Sequence, residues 1–313
     1  CDWSSDVCSS DLKGGGMARA AANGIEIEYE VFGDEADPTL LLIMGLGAQM
    51  TTWPVEFCRD LAGRGHQVIR FDNRDIGLSS HMDHLGEADS MAALGAAMAG
   101  EAIDAAYTLA DMAADSVGLL DALGHDSAHI VGASMGGMIA QRLVINHPER
   151  ALSLTSIFST PRFIPADPEV VAVFNWPDPG TLEGRIQAGV DGARITSGGG
   201  FPFDEDLVRR YVAANIDRSW HPEGQARQMV AIVADGDRTE ELRSVDLPAL
   251  VLHGTHDPLV VPQGGQETAD AIAGAELVWI DGLGHELPPG AWPTILDGIS
   301  GLVAGVEGAG APA

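Results

Sequence analysis

Ser134 stands in Gly132-Ala133-Ser134-Met135-Gly136, a Gly-x-Ser-x-Gly run inside HIVGASMGGMIAQ, where a continuous apolar stretch gives way to an amphipathic one. That placement predicts a nucleophile on a sharp strand-to-helix turn. Side chains two positions before and after the serine would collide with the adjoining strand and helix, which accounts for glycine at 132 and 136. In a chain with 39 glycines among 313 residues the pattern alone carries little weight, and its context supplies the rest. The competing interpretation is a glycine-rich packing turn whose serine merely caps the helix.

A serine hydroxyl needs a base within hydrogen-bond reach and an acid to hold that base in one tautomer. For a nucleophile on this kind of turn the order is serine, then acid, then histidine, the last two on loops after later strands. Asp257 follows the apolar PALVLHG in HGTHDPLVVP, and His285 follows ELVWID in DGLGHELP. Both fall on the sheet edge that carries Ser134. Of the ten histidines, His253 and His256 are the nearest rivals, but each shares the loop of the proposed acid, whereas His285 lies one βα unit downstream. His66, His125, His129 and His147 border strands and helices and need no function. His81 and His84 suggest metal binding only weakly, because no third ligand stands at ligand spacing, and they read as a solvated loop.

An oxyanion formed at such a site needs two preorganised donors, and backbone amides are the usual source. Met135, which follows the nucleophile, offers one. Leu46 offers the other, in MGLGAQMTTW, where Gly45 and Gly47 let the chain turn an amide toward the serine. The plainer alternative is a glycine-rich βα turn.

The elements that must position these groups are legible as periodicities. GIEIEYEVFG from Gly24 alternates apolar and polar residues and predicts a half-exposed strand at the sheet edge. The uninterrupted run at 39–44 predicts a strand covered on both faces. Strands at 67–71, 128–132 and 152–158 follow, with helices at 55–62, 109–123 and 135–147, so repeated βα units predict a parallel, doubly wound α/β sheet. From 161 to 243 the strand pattern stops and Pro, Gly and Trp rise, which predicts an inserted helical cap whose Phe163, Phe174, Trp176 and Trp220 pack its own core or line a pocket. Alternation resumes at 247–254, 263–273 and 275–281, with a last helix after Pro289. The expected organisation is a non-native leader over 1–16, a first core segment over 17–160, the cap over 161–243, a second core segment over 244–303 and a flexible Gly/Ala-rich tail over 304–313.

The formal charge of −29 repels nucleic-acid backbones and anionic membranes, so neither is an expected partner. No apolar run reaches the ~18 residues of a membrane helix, and the alanine-rich stretch from 88 to 110 is broken by Gly95, Gly100, Glu101 and Asp104. Three cysteines, Cys1, Cys8 and Cys58, form neither a disulfide framework nor a CxxC metal site, which predicts a reducing, cytoplasmic setting with Cys58 as a buried filler. The leader holds the only lysine, Lys13, and resembles a translated adapter, with Met17 as the expected start.

From Gly24 to Val303 the chain resembles the α/β-hydrolase superfamily, with LLIMGLGAQ, RFDNRDIGLS, YTLADMAADSVGLLDALG, HIVGASMGG, LVLHGTHDPLV and GLGHELP in the family order. It is most similar to the aclacinomycin methylesterase group and related serine esterases, which share IMG at the oxyanion loop and WP shortly after it. The resemblance implies an α/β-hydrolase fold with a cap, Ser134 as nucleophile, Asp257 as acid, His285 as base, Leu46 and Met135 as oxyanion donors, and neither cofactor nor metal. Met44 departs from the pattern, since many relatives carry histidine there, which leaves the backbone donor intact but puts any histidine-dependent wiring of that loop in doubt. The segment from Asp72 to Ser79 resembles a structural loop of the family. Serine at the turn disfavours the aspartate-nucleophile dehalogenases and epoxide hydrolases.

The expected activity is therefore hydrolysis of a small-molecule carboxylic ester through an acyl-enzyme. Alternatives are the same triad acting on C–C, lactone or amide bonds or in perhydrolysis, and a small-molecule receptor built on a hydrolase scaffold.

Overall fold

The computed structural model describes residues 16–310, so the expected leader, with Cys1, Cys8 and Lys13, lies outside the described residues except for Gly16. Eight strands form one sheet in the order β1-β2-β4-β3-β5-β6-β7-β8. These are β1 (Ala18–Ala22), β2 (Ile25–Phe32), β3 (Thr39–Ile43), β4 (Gln67–Phe71), β5 (Ala128–Ala133), β6 (Ala151–Ile157), β7 (Ala249–Gly254) and β8 (Glu276–Ile280). β1 and β2 pair antiparallel, as do β2 and β4, and every later pairing is parallel. The expected α/β architecture is thus present.

The run at 39–44 behaves as its composition demands. Leu41 and Ile43 face one apolar layer while Leu40 and Leu42 face the other. On the first face pack α3 (Leu109–Leu123) and α4 (Met135–Asn146), through residues such as Leu120, Ile139 and Leu143. The second face takes α1 (Val55–Gly63) and α11 (Trp292–Gly310), through Phe57, Leu61, Ile295 and Ile299. α3 begins with a capping box, the Thr108 side chain accepting from the Asp111 amide and Asp111 reaching back to the Thr108 amide.

Two expectations about the ends of the chain need correction. β2 is not the edge strand, because β1 lies outside it. Asn23 and Gly24 both take positive φ, 48° and 80°, the two-residue hairpin turn for which Asn-Gly is the strongest short-range signal. The sequence of β1, ARAAA, has no β-branched or aromatic residue, so periodicity passes over it. At the other end, residues 304–310 continue α11, whose Val303 is buried against the sheet and anchors its last turns.

Between β4 and α3 the alanine-rich stretch forms α2 (Ser90–Ala99). Between β6 and β7 the described residues form helices and no strand: α5 (Pro168–Val171), α6 (Leu182–Thr196), α7 (Glu205–Arg218), α8 (Pro222–Asp235) and α9 (Thr239–Leu242). α10 (Pro262–Ala271) then links β7 to β8. No helix among the described residues is long and apolar enough to cross a membrane.

Candidate active site

Ser134 sits between β5 and α4 with φ 57° and ψ −124°, a strained conformation for a residue with a side chain. Its amide donates to the Ile157 carbonyl at 2.9 Å, and its own carbonyl accepts from Ser159 Oγ at 2.8 Å, so the end of β6 and the residues just after it hold the turn on both sides of the serine. A Cβ at Gly132 would lie 2.2 Å from the Gly136 oxygen, and one at Gly136 would lie 2.0 Å from the Ile43 oxygen. Both glycines are therefore imposed by contact. The Ser134 side chain makes no capping bond to α4, which removes the helix-cap interpretation.

The hydroxyl points elsewhere. His285 Nε2 lies 2.8 Å from Ser134 Oγ, and His285 Nδ1 lies 2.8 Å from Asp257 Oδ2. A carboxylate only accepts, so Nδ1 carries the proton and Nε2 presents its lone pair to the serine hydroxyl. The second Asp257 oxygen accepts from the amides of Leu259 and Val260, each at 2.9 Å, which fixes the carboxylate plane. Asp257 is 3% exposed. The structure brings the three residues together from loops after β5, β7 and β8.

The rival histidines are otherwise engaged. His253 Nε2 donates to the Val260 carbonyl at 2.8 Å and lies 3.8 Å from Asp257 Oδ2, and burial lowers its pKa. His256 Nδ1 pairs with the adjacent Thr255 hydroxyl. The Phe158 ring stacks obliquely against the His285 ring, with centroids 4.8 Å apart. Glu286, next in sequence, has its carboxyl pushed up to about 7 by burial.

The loop after β3 lies directly against the serine, since a Cβ on Gly45 would stand 2.9 Å from Ser134 Cβ. Among the described residues no acceptor takes the Leu46 amide. Met135 is the first residue of α4, where backbone amides lack an intrahelical acceptor. Met44 is buried, and its carbonyl accepts from Asn73 Nδ2 at 2.8 Å, so Asn73 wires the loop from the neighbouring strand end. The segment from Asp72 to Ser79 thus supports the site. Asp72 also accepts from the Met50 amide at 2.7 Å and pairs with Arg218 of α7 at 2.7 Å.

The helical segment between β6 and β7 reaches both loops. The His285 amide donates to the Thr196 carbonyl at the end of α6 at 2.8 Å, and the Gly47 amide donates to Gln228 Oε1 of α8 at 2.9 Å. Asp75 and Arg227 form a buried pair at 2.6 Å. Burial alone would raise the Asp75 pKa, but the Arg227 hydrogen bonds hold it below the ordinary value. Sequence reasoning missed Asn73 and Gln228. Asn73 had a signal in its position one residue past the expected loop start, whereas nothing in the spacing of Gln228 marks it.

His81 does have companions of ligand type: its nitrogen, an Asp83 oxygen and a His221 nitrogen lie within 4.8 Å of one another, while His84 stands apart from the group. The earlier expectation of no third ligand is corrected on that point. The His81 and His221 rings stack in parallel at 3.8 Å, so their lone pairs run side by side rather than converge. Arg227 Nη2, 2.9 Å from Asp83 and 3.1 Å from His221 Nε2, already supplies a positive charge there. Of the aromatic residues expected in the insertion, Phe163 packs beside Ala93 and Val230, while Trp176 and Trp220 are exposed and Arg185 covers the Trp220 ring. The Phe174 side chain lies outside the described residues.

A mostly parallel sheet of this order, with a strained serine at a strand-to-helix turn on its carboxyl edge, is the architecture of the α/β hydrolases. The family model for the alpha/beta hydrolase fold matches residues 38–288. The chain belongs to that family and is a hydrolase. Among curated proteins it is 32% identical over 282 residues to rhodomycin D methylesterase DauP of Streptomyces sp. (strain C5), covering 83% of this chain and 88% of the relative. Its identity to rhodomycin D methylesterase DnrP of Streptomyces peucetius is also 32% with the same coverage. Among solved structures, the enol-lactonase from Burkholderia xenovorans LB400 superposes with a TM-score of 0.70 at 25% identity, over 92% of this chain and all of that one.

Proposed function

We propose that this protein is a serine carboxylesterase with Ser134 as nucleophile, His285 as general base and acid, and Asp257 as the group that orients the imidazole. The observation that carries the reading is the unbroken chain of contacts from Ser134 Oγ through His285 to Asp257, each 2.8 Å long. Ser134 Oγ attacks the ester carbonyl carbon as its proton passes to His285 Nε2. The carbonyl oxygen becomes an oxyanion facing the Leu46 and Met135 amides. Collapse expels the alcohol with the proton from His285 and leaves an acyl-serine. Water, deprotonated by the same nitrogen, then releases the acid and restores the hydroxyl.

The methylesterase relatives favour a small alcohol as leaving group. Lactones, being cyclic esters, fall within the same chemistry, and the enol-lactonase likeness favours including them among substrates. Residues 161–243 act as a cap between the two core segments, 17–160 and 244–303, and the buried unpaired Cys58, its thiol pushed up to about 12 by burial, suits a reducing cytoplasmic setting. The test is turnover over methyl, ethyl and p-nitrophenyl esters of graded acyl length, with lactones and amides alongside. Esters and lactones should turn over many times per protein molecule and Ser134→Ala should be inactive. Undiminished ester turnover by Ser134→Ala would refute the assignment, and stoichiometric binding without turnover would favour a receptor.

A further inference from the structure

We infer that Gln228, on α8 of the insertion, is a positioning residue for the oxyanion hole, so that seating of the insertion and catalytic competence are one event. The inference rests on the serine esterase reading above. An oxyanion donor is useful only if its N–H direction is set before the reaction. Three anchors fix the peptides around Leu46. Asn73 Nδ2 holds the Met44 carbonyl, the Ala48 amide closes a turn onto the Gly45 carbonyl at 3.3 Å, and Gln228 Oε1 takes the Gly47 amide at 2.9 Å. Because peptide planes are rigid, fixing the Gly45 carbonyl turns the Leu46 amide to the opposite side, and fixing the Gly47 amide removes the remaining rotation on the far side of Leu46.

Of these anchors only Gln228 comes from outside the sheet and its immediate loops. Its amide cannot flip without penalty, since Nε2 donates to the Arg74 carbonyl at 2.9 Å while Oε1 accepts from Gly47, and reversal would set oxygen against oxygen. The side chain is fully buried, so water cannot replace either bond. Gly47 has φ 66°, and a Cβ there would lie 2.7 Å from Gln225 Oε1, so the loop is pressed against the first turns of α8. A glutamine in this position transmits the placement of α8 to the Leu46 amide through one hydrogen bond and one residue of backbone.

The test compares Gln228→Met, which loses both bonds, with Gln228→Glu, whose carboxyl, kept protonated by full burial, retains an oxygen for Gly47 and a hydroxyl for the Arg74 carbonyl. Turnover of p-nitrophenyl acetate is measured per active site, counted by fluorophosphonate titration, together with inhibition by phenylboronic acid, whose tetrahedral adduct places an oxygen in the hole. Losing an oxyanion donor costs ~10²–10³ in rate, and misdirecting one costs less, about 10–100-fold. Gln228→Met should lose kcat by that factor with KM changed less than about threefold, and boronate affinity should fall in parallel. Gln228→Glu should recover most of the loss. Wild-type kcat per titrated site in Gln228→Met, or a change confined to KM, would overturn the inference while leaving the esterase reading intact. If Gln228→Met does not fold, equal kcat in Gln228→Glu and Gln228→Asn, whose shorter side chain cannot span to Gly47, would overturn it as well. An inert wild-type protein would overturn both.

Discussion

Among the described residues His285 Nδ1–H has one acceptor, Asp257 Oδ2, and because that acceptor cannot donate, Nε2 is left with its lone pair toward the Ser134 hydroxyl. Asp257→Asn leaves the size of the group unchanged but offers an N–H toward Nδ1, which turns the imidazole to the wrong tautomer. Ester turnover by this variant should fall by about 10³–10⁴-fold with little change in melting temperature, as steady-state kinetics and calorimetry would show. Glu286 makes a different prediction. Its folded pKa of about 7 exceeds the ordinary 4.5, so between those values the unfolded chain ionises while the folded one keeps its proton. Stability is then lost as pH rises through that window and the penalty is complete above it. Glu286→Gln should therefore stabilise the protein at pH 8, by about 1 kcal/mol after discounting for partial solvent access, and change little at pH 4. Chemical denaturation at the two pH values checks this. Ser134, Asp257 and His285 were legible because chemistry fixes both their types and their order along such a fold. Gln228 was not, since a hydrogen bond to a backbone amide leaves no periodicity and no motif.

Elements were readable in proportion to how strongly burial constrains them. β3 and β5 declare themselves because both faces are covered, so every position but His129 is apolar or small. β1 hides because its alanines and single arginine fit strand, helix or loop, and only the Asn-Gly turn after it betrays the hairpin. The helices between β6 and β7 carry short, mixed patterns, with α7 burying no residue fully, so composition marked the region while periodicity could not divide it. At the junction of β5 and α4 the constraint is steric. Gly136→Ala should abolish soluble folded protein or active-site titration by fluorophosphonate, because its Cβ would stand 2.0 Å from the Ile43 carbonyl oxygen, a backbone atom that cannot swing aside. At the start of α3 the constraint is electrostatic and milder. Thr108→Ala removes the capping box at a cost of about 1 kcal/mol, visible as a lower midpoint in urea with unchanged turnover.

Across the whole molecule, buried ion pairs join the sheet's loops to the helical insertion. Arg227 of α8 meets Asp75, and Arg218 of α7 meets Asp72, in each case a carboxylate with no exposed side-chain surface. Removing one partner leaves an uncompensated buried charge, so Arg227→Met should lower stability by about 3–5 kcal/mol, whereas pairing it with Asp75→Asn should recover part of that loss. Denaturant titration of the two variants checks the sign. The pairs tie these helices to residues 72–75, the same loop whose Asn73 holds the Met44 carbonyl beside Gly45. The proposed activity turns on a covalent step at a single oxygen, Ser134 Oγ. The most direct measurement is acid-quenched peptide mass spectrometry during turnover of a p-nitrophenyl ester: an acyl adduct is expected on the peptide containing Ser134, at that residue, and absent from Ser134→Ala. Turnover that proceeds at the wild-type rate in Ser134→Ala, with no acylated peptide in either protein, would contradict it.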